Sequence, residues 1–222
     1  MISTQSQKQQ QFFVVDDHAS VLDGTVLALK QAYSDIDIAT AQNAQEARKK
    51  LSDLQPDVVI VDLSLPESAE ATAQTETGIS LLRELLETYP DYNFVVQSAY
   101  IKALVRIKPS IDAHQGGLTI VDKSEPMQEM LTKVDWALKG VVYTPREMRM
   151  GLEIKPEWLR VLELAFREGM KDRAIAQEMN IAERTVRHYW TKVQDVLGVY
   201  PEADKSMRIQ TELRAREEGL ID

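Results

Sequence analysis

The stretch DVVIVDLSLP, residues 57–66, decides the fold of this chain. Its branched aliphatic side chains at residues 58–61 predict a strand that is buried on both faces, and Asp62 ends this strand with a carboxylate. In an open parallel sheet, ligands bind beyond the carboxyl ends of the strands, because the loops and the N-termini of the following helices converge there. The stretch therefore predicts an α/β sheet with an acidic site at its edge.

A second acidic strand end lies near the N-terminus. The apolar run at residues 12–15 is followed by Asp16 and Asp17, so neighbouring strands would bring three carboxylates into one pocket. Like charges at short range raise each other's pKa, and a hard divalent cation relieves that cost. Mg2+ is commonly held by one or two carboxylates, waters and a phosphate, which predicts a magnesium site at Asp16, Asp17 and Asp62. The alternative is that Asp16 and Asp17 cap the next helix and that Asp62 only ends a strand.

The composition excludes several classes of site. A chain of 222 residues allows one large or two modest domains. No apolar run reaches the length of a membrane span and no targeting signal is visible, so we expect a cytoplasmic protein. Cysteine is absent, which excludes disulfides, thiol catalysis and cysteine-ligated metals. The three histidines, His18, His114 and His188, show no metal-ligand spacing.

The negative charge is concentrated in the first part of the chain. Residues 1–139 carry 12 Lys and Arg against 20 Asp and Glu, whereas residues 140–222 carry 14 against 15. With a net charge of −9, the protein as a whole would be repelled by nucleic acid. Any DNA binding must therefore come from a local basic face in the second part.

Apolar periodicity alternates between strand and helix five times before residue 140. This alternation predicts a doubly wound, five-stranded parallel sheet, followed by a small all-α domain. Residues 67–77 predict a long exposed loop, Gly78 opens the next helix, and Pro109 predicts a broken helical region. The predicted boundaries are a disordered tail at 1–11, the sheet domain at 12–139, a linker at 140–155 and the helical domain at 156–222.

The helical domain contains a predicted helix-turn-helix unit. Helices at residues 172–179 and 183–197 flank a short turn at 180–182, and a last helix follows at about 203–218. The helix at 183–197 has one outward basic face in an acidic chain, formed by Arg184, Arg187, His188 and Lys192. Such a face is ordinarily only solvated. Its place as the second helix of the unit favours DNA binding.

Four motifs of the sheet domain resemble the receiver domain of two-component response regulators, and the resemblance covers residues 12–139. They are VVDDH at 14–18, VDLSLP at 61–66, QSAY at 97–100 and VDKSEP at 121–126. The resemblance implies that Asp62 accepts a phosphoryl group from a sensor histidine kinase and that Asp16 and Asp17 help to hold Mg2+. It also implies that Ser98 is the switch hydroxyl and Lys123 the lysine of such sites. Receivers usually carry an aromatic switch residue three positions before this lysine, and here Ile120 takes that place.

Residues 156–222 resemble the NarL/LuxR-type DNA-binding domain, chiefly through AIAQEMNIAERTVRHYWTKVQDVLGV at 174–199. The resemblance implies that the last helix is the dimer element. The usual capping Ser of the recognition helix is replaced by Ala182, a loss on the order of 1 kcal/mol unless local contacts compensate. The resemblance and the outward basic face together give the expected DNA contacts as Arg173, Arg184, Thr185, Arg187, His188 and Lys192.

The sequence thus predicts a phosphorylation-dependent transcriptional regulator that binds double-stranded DNA as a homodimer. Its catalysis would be confined to its own phosphorylation and dephosphorylation, so it is not expected to be an enzyme in the usual sense. One alternative is an aspartyl-phosphate phosphatase, but such enzymes need a second acid two residues after the nucleophile, where this chain has Ser64. Another is a phosphorylation-independent regulator or protein-interaction adapter, which Ile120 and the atypical loops would favour.

Overall fold

The computed structural model describes residues 9–145 and 154–221 of the chain. The chain divides into two units. Met1–Ala99 and Pro109–Thr144 form the first, here called the sheet unit, and Tyr100–Lys108 and Pro145–Asp222 form the second, here called the helical unit. None of the helices in the described ranges combines the length and apolar character that a membrane span requires.

Among the described residues, the sheet unit contains six parallel strands in the order β2-β1-β3-β4-β5-β6. All five residues of β3 are buried, as the aliphatic run predicts for a strand covered on both faces. Each strand ends at the same edge because all pairings are parallel. The strands are β1 (Gln10–Val15), β2 (Ile36–Ala41), β3 (Val58–Asp62), β4 (Phe94–Ser98), β5 (Leu118–Asp122) and β6 (Val142–Tyr143).

Helices cover the faces of this sheet. Alternate side chains of β1 and β3, such as Phe12 and Ile60, share one apolar cluster with Leu22 and Leu29 of α1 and Val134 of α5. Helices α2 and α3 contact each other. The helices are α1 (Ala19–Ala32), α2 (Ala44–Leu51), α3 (Thr75–Thr88), α4 (Lys108–Ala113) and α5 (Met127–Leu138).

The doubly wound parallel fold is confirmed, but the predicted number of five strands is wrong. The sixth strand, β6, lies inside the segment 140–155 that the sequence predicts as a linker, and it pairs with β5. Lys133 of α5 is buried, and its Nζ lies 4.1 Å from the Trp136 ring centroid and 3.8 Å from that of Tyr143 in β6. These cation–π contacts hold a strand that is too short to produce a readable sequence pattern.

Several element boundaries also differ from the sequence prediction. β1 begins at Gln10, inside the predicted tail, because Gln10 pairs with Ile36 of β2, and residues 1–8 of that tail lie outside the described part. α3 begins at Thr75 and not at Gly78. The helical region around Pro109 is irregular as predicted: a 3-10 helix at Ile101–Ile107 leads directly into α4, and Pro109 is the second residue of α4.

The helical unit contains the predicted helix-turn-helix. Asn180 in its turn adopts a positive φ of 54°, which asparagine tolerates better than most residues. α9 begins at Met207, later than the predicted Ala203. The predicted linker residues 146–153 lie outside the described part. The helices are α6 (Pro156–Phe166), α7 (Asp172–Glu178), α8 (Glu183–Leu197) and α9 (Met207–Glu217).

The glycine at position 78 allows α3 to approach the loop that follows Asp62. A Cβ on Gly78 would lie 1.9 Å from the backbone oxygen of Leu63. We expect Gly78→Ala to lower the free energy of unfolding by more than about 2 kcal/mol, because backbone must move to admit the methyl group. Gly24→Ala in α1 is the matched control, since no atom lies within 4 Å of the new Cβ, and it should stabilise by about 0.5–1 kcal/mol. Urea unfolding of both variants checks this, and equal effects would contradict the packing.

Burial of His114 predicts a pH-dependent stability. Its Nε2 donates to the Tyr92 carbonyl at 2.8 Å, while its buried Nδ1 has no hydrogen-bond partner among the described residues. Burial lowers the pKa of His114 below its ordinary 6.5, against smaller opposing effects of the Tyr92 carbonyl and the Asp91 charge. The unfolded chain therefore binds this proton more readily than the folded chain does.

The free energy of unfolding should consequently fall as the pH drops through about 6.5 towards the lower pKa of the folded state. We expect His114→Gln to remove this part of the loss. Urea unfolding of the wild type and the variant, from about pH 8 to about pH 5, spans the ordinary histidine pKa. It measures how the free energy of unfolding of each protein changes with pH. Parallel curves for the two proteins would contradict this, because they would show that His114 binds its proton equally well in the folded and unfolded states.

Candidate functional site

Three carboxylates meet at the edge where β1 and β3 end. The register pairs Val15 with Val61, so the next residues of the two strands, Asp16 and Asp62, emerge side by side. Both are buried, with only 1% of each residue exposed. Asp17 follows directly and its side chain is 18% exposed. The parallel register alone thus brings together the acids that the sequence predicts.

Lys123 reaches this cluster from the end of β5. Its Nζ lies 2.7 Å from Oδ2 of Asp62 and 2.9 Å from Oδ2 of Asp16. Its backbone N–H donates to the carbonyl of Ser98 at 3.2 Å, which ties the lysine to the end of β4. Ser98 itself is buried at that strand end. The structure therefore brings Asp16, Asp17, Asp62 and Lys123 together and places Ser98 at the same sheet edge.

The charges of the cluster perturb its titration. Burial raises the pKa of Asp62, and Asp16 adds to this rise, while Lys123 and the backbone N–H of Ser64 oppose it. Burial by itself would lower the pKa of Lys123, but Asp62 and Asp16 outweigh burial and raise it. One ammonium group faces more than one carboxylate, so the site retains an excess of negative charge.

The donor set fits a hard divalent cation. Ligand atoms of Asp16, Asp17, His18 and Asp62 lie within 4.8 Å of one another. Oδ1 of Asp17 and Oδ2 of Asp62 are buried, and among the described residues the group that faces each of them is a basic side chain, His18 and Lys123 respectively. Buried carboxylate oxygens with so few partners are suitable ligands for a metal ion.

His18 is a site residue that the sequence analysis set aside. Its Nδ1 lies 2.6 Å from Oδ1 of Asp17 and its backbone N–H donates to Oδ1 of Asp16 at 2.9 Å. The only sequence signal was its position next to the two acids, which a search for spaced metal ligands does not detect. A second unforeseen contact is the backbone N–H of Ser64, which donates to Oδ1 of Asp62 at 3.1 Å.

Ile120, at the position of the usual aromatic switch residue, is fully buried in β5 opposite Val96.

The basic face of α8 is present as predicted. Val186 and Val193 are buried, while Arg184, Arg187 and His188 on the same helix are exposed. The side chains of Thr185 and Lys192 are partly buried on α8, and Arg173 is exposed on α7. Ala182 makes no side-chain capping bond. The basic residues of α8, with Arg173 on α7, offer a cationic surface on the predicted helix pair.

A polar network behind α8 was not foreseen from the sequence. Nε1 of Trp190 donates to Oδ1 of Asp172 at 3.1 Å, and Nη2 of Arg208 pairs with the same oxygen at 2.6 Å. The Arg208 guanidinium also stacks 3.6 Å from the Trp190 ring centroid. One carboxylate of α7 therefore joins α8 and α9, which orients the basic helix within the unit.

Comparison with known proteins agrees with this geometry. The family model of the response regulator receiver domain matches residues 12–135. Transcriptional regulatory protein LnrK of Bacillus subtilis is 28% identical over 203 residues, covering 84% of this chain and 90% of the relative. The DNA-binding transcriptional activator DevR/DosR of Mycobacterium tuberculosis is 25% identical over 199 residues, covering 84% and 88%.

A solved structure has the same fold. RcsB from Salmonella enterica serovar Typhimurium, bound to promoter rprA in the presence of the phosphomimetic BeF3−, superposes with a TM-score of 0.61 at 22% identity, covering 92% of this chain and 97% of RcsB. The family match spans more than half of the chain and includes the strands that carry the acid cluster and Lys123. The chain therefore belongs to the response regulator receiver domain family.

Proposed function

We propose that this chain is a two-component response regulator that a sensor histidine kinase phosphorylates on Asp62 and that binds double-stranded DNA as a homodimer to regulate transcription. The observation that carries the proposal is the buried Asp62 carboxylate, paired with Lys123 at 2.7 Å and adjacent to Asp16. An exposed acid such as Glu202 also pairs with a lysine, but it lacks the burial of Asp62 and its second acidic neighbour. This arrangement supports a nucleophile that receives an anionic group.

The chemistry assigns a role to each residue of the cluster. An oxygen of Asp62 attacks the phosphorus of phosphohistidine, the P–N bond breaks, and an acyl phosphate forms on the aspartate. Lys123 faces the phosphoryl oxygens, and the Ser98 hydroxyl donates to one of them after transfer. Asp16, Asp17 and Asp62 would hold Mg2+, which when bound neutralises charge on the phosphoryl oxygens. The pairing of Lys123 with Asp62 then gives way to pairing with the phosphoryl group.

The helical unit supplies the DNA-binding part of the proposal. The exposed Arg184, Arg187 and His188 lie on the second helix of the helix-turn-helix, where such motifs contact the major groove. Arg173, Thr185 and Lys192 complete the proposed contacts. A DNA-binding activator among the relatives and the promoter-bound RcsB structure support this assignment. A transcriptional regulator acts at the chromosome, so the proposal places the chain in the cytoplasm.

α9 is the proposed dimer element. Ile209 and Leu213, one turn apart on this helix, are 59% and 56% exposed, and a second copy would cover them.

Asp62→Asn tests the phosphoacceptor. The amide cannot form an acyl phosphate, so we expect no phosphoryl adduct by intact mass after incubation with acetyl phosphate and Mg2+, whereas wild type is modified. Asp53→Asn, at an exposed acid beyond α2, is the matched control and should be modified as wild type is. Modification of the Asp62→Asn protein would place the acceptor elsewhere. DNA affinity that is the same with and without BeF3− would favour the phosphorylation-independent alternative.

Arg187→Ala tests the DNA-binding face. Loss of one charge-assisted phosphate contact should weaken binding roughly tenfold, and it should reduce the slope of log affinity against log salt by about 1. The measurement is fluorescence anisotropy on a duplex that the wild type selects from a random pool. Arg160→Ala on α6 is the control, because Arg160 is also an exposed arginine paired with a glutamate on its own helix. Equal salt slopes for the two variants would show that α8 is not the recognition helix.

A further inference from the structure

The residues that follow Asp62 form a long connection with a closed neck. Residues 63–74 lie between β3 and α3, whereas such strand-to-helix connections commonly have about 2–6 residues. The backbone N–H of Gln74 donates to the Leu65 carbonyl at 3.0 Å, and this pair forms an isolated antiparallel bridge. The bridge separates the residues next to Asp62 from a mostly exposed excursion at residues 66–73.

The N-terminus of α2 holds the start of this excursion. The backbone N–H groups of Ala44 and Gln45 donate to the carbonyls of Pro66 and Glu67, each at 3.0 Å. The first N–H groups of a helix have no partner within the helix, and here the carbonyls of the connection satisfy them. The excursion is therefore attached to α2 through its backbone.

Arg48, one turn further along α2, adds a side-chain attachment. Its Nη1 lies 2.7 Å from Oε1 of Glu67, and its Nε lies 2.8 Å from Oε2 of Glu84 on α3. The Arg48 side chain is 30% exposed, whereas those of the two glutamates are 58% and 49% exposed. One guanidinium group thus joins α2 to the connection and to α3, and its planar fork holds the two carboxylates in a fixed relation.

The anchored backbone carries a hydrogen-bond donor of the candidate site. The N–H of Ser64 donates to Oδ1 of Asp62 at 3.1 Å. This bond restricts the rotation of the carboxyl group, whose other oxygen faces Lys123 at 2.7 Å. Glu67 lies only three positions after Ser64, so a loosely held Glu67 would let this N–H move away from Asp62.

We infer that Arg48 is a positioning residue for phosphoryl transfer to Asp62: by binding Glu67, it keeps the Ser64 N–H directed at the carboxylate. The inference rests on the proposed function, in which Asp62 is the nucleophile. A long exposed connection would otherwise transmit its motion to the residues beside the nucleophile, and small displacements of a reacting group lower the rate of a reaction strongly. Among the described residues the ion-pair partners of Arg48 are Glu67 and Glu84, so Arg48 acts through Glu67 and not on the reacting atoms.

Removal of each glutamate separately tests this role in the full chain. The quantity is the initial rate at which acetyl phosphate and Mg2+ form the phosphoryl adduct, followed by intact mass. Arg48→Ala and Glu67→Ala should each lower this rate about two- to fourfold, the range expected for an exposed ion pair. Because both remove the same contact, the double variant should be no slower than Arg48→Ala.

Glu84→Ala is the matched control. It removes the other ion pair of Arg48, which is of similar length and exposure, and leaves the contact with Glu67 in place. This variant should keep the wild-type rate. Urea unfolding should show a similar free energy of unfolding for Glu67→Ala and Glu84→Ala, so a difference in their rates is not a difference in stability.

The amide resonance of Ser64 gives a readout that a loss of stability alone would not move. In nitrogen–proton correlation spectra this resonance should shift in Arg48→Ala and Glu67→Ala, because its hydrogen bond to Asp62 weakens. It should stay in place in Glu84→Ala. An unmoved resonance in both Arg48→Ala and Glu67→Ala would overturn the inference.

The rates separate this inference from the proposed function. Absence of a phosphoryl adduct on wild type would contradict the proposed function itself. With normal modification of wild type, a wild-type rate in Glu67→Ala, or equal losses in Glu67→Ala and Glu84→Ala, would overturn the positioning role alone. If Arg48→Ala does not fold, Glu67→Ala carries the test, because its side chain is more than half exposed.

Discussion

The interaction of Lys123 with Asp62 and Asp16 is the constraint on which the rest of the molecule depends. Burying two carboxylates at the end of a sheet is costly unless positive charge compensates them. The single ammonium group of Lys123 compensates only part of their negative charge. The remaining negative charge makes the site attractive for a divalent cation. It also keeps the lysine close to the position where a phosphoryl group would be attached. Stability of the apo site and readiness for chemistry therefore have one electrostatic origin.

The parallel sheet supplies the precision that this interaction requires. Strand register sets Asp16 beside Asp62, and the Lys123 backbone bond to Ser98 sets β5 against β4. Gly78 lets α3 pack closely on the backbone that follows Asp62. Side chains at the ends of rigid strands keep their positions while charge develops on a reacting group. Such preorganised side chains stabilise that charge without having to rearrange.

The helical unit solves a different electrostatic problem. A chain with a net charge of −9 can approach DNA only by presenting a concentrated cationic surface, and α8 does so by separating buried apolar residues from exposed basic ones. Asp172 of α7 pairs with Arg208 of α9 and accepts a hydrogen bond from Trp190, which lies on the inner side of α8. The orientation of the basic face thus depends on α9, so the proposed dimer element and the proposed DNA-binding face are connected.

The sequence by itself determined the elements with strong local signals. The aliphatic run of β3, the apolar stripes of α5 and α8, the break around Pro109 and the residues of the acid cluster were readable because periodicity and strand-end acids are local properties. Only the tertiary structure revealed the strand β6, the early starts of β1 and α3 and the late start of α9. It also revealed the contact of His18 with Asp17 and the assignment of Tyr100–Lys108 to the helical unit. Each of these depends on a partner that is distant in sequence or on the exact direction of a side chain. The local sequence indicates neither the distant partner nor the side-chain direction, because such a contact forms only when folding brings the two residues together.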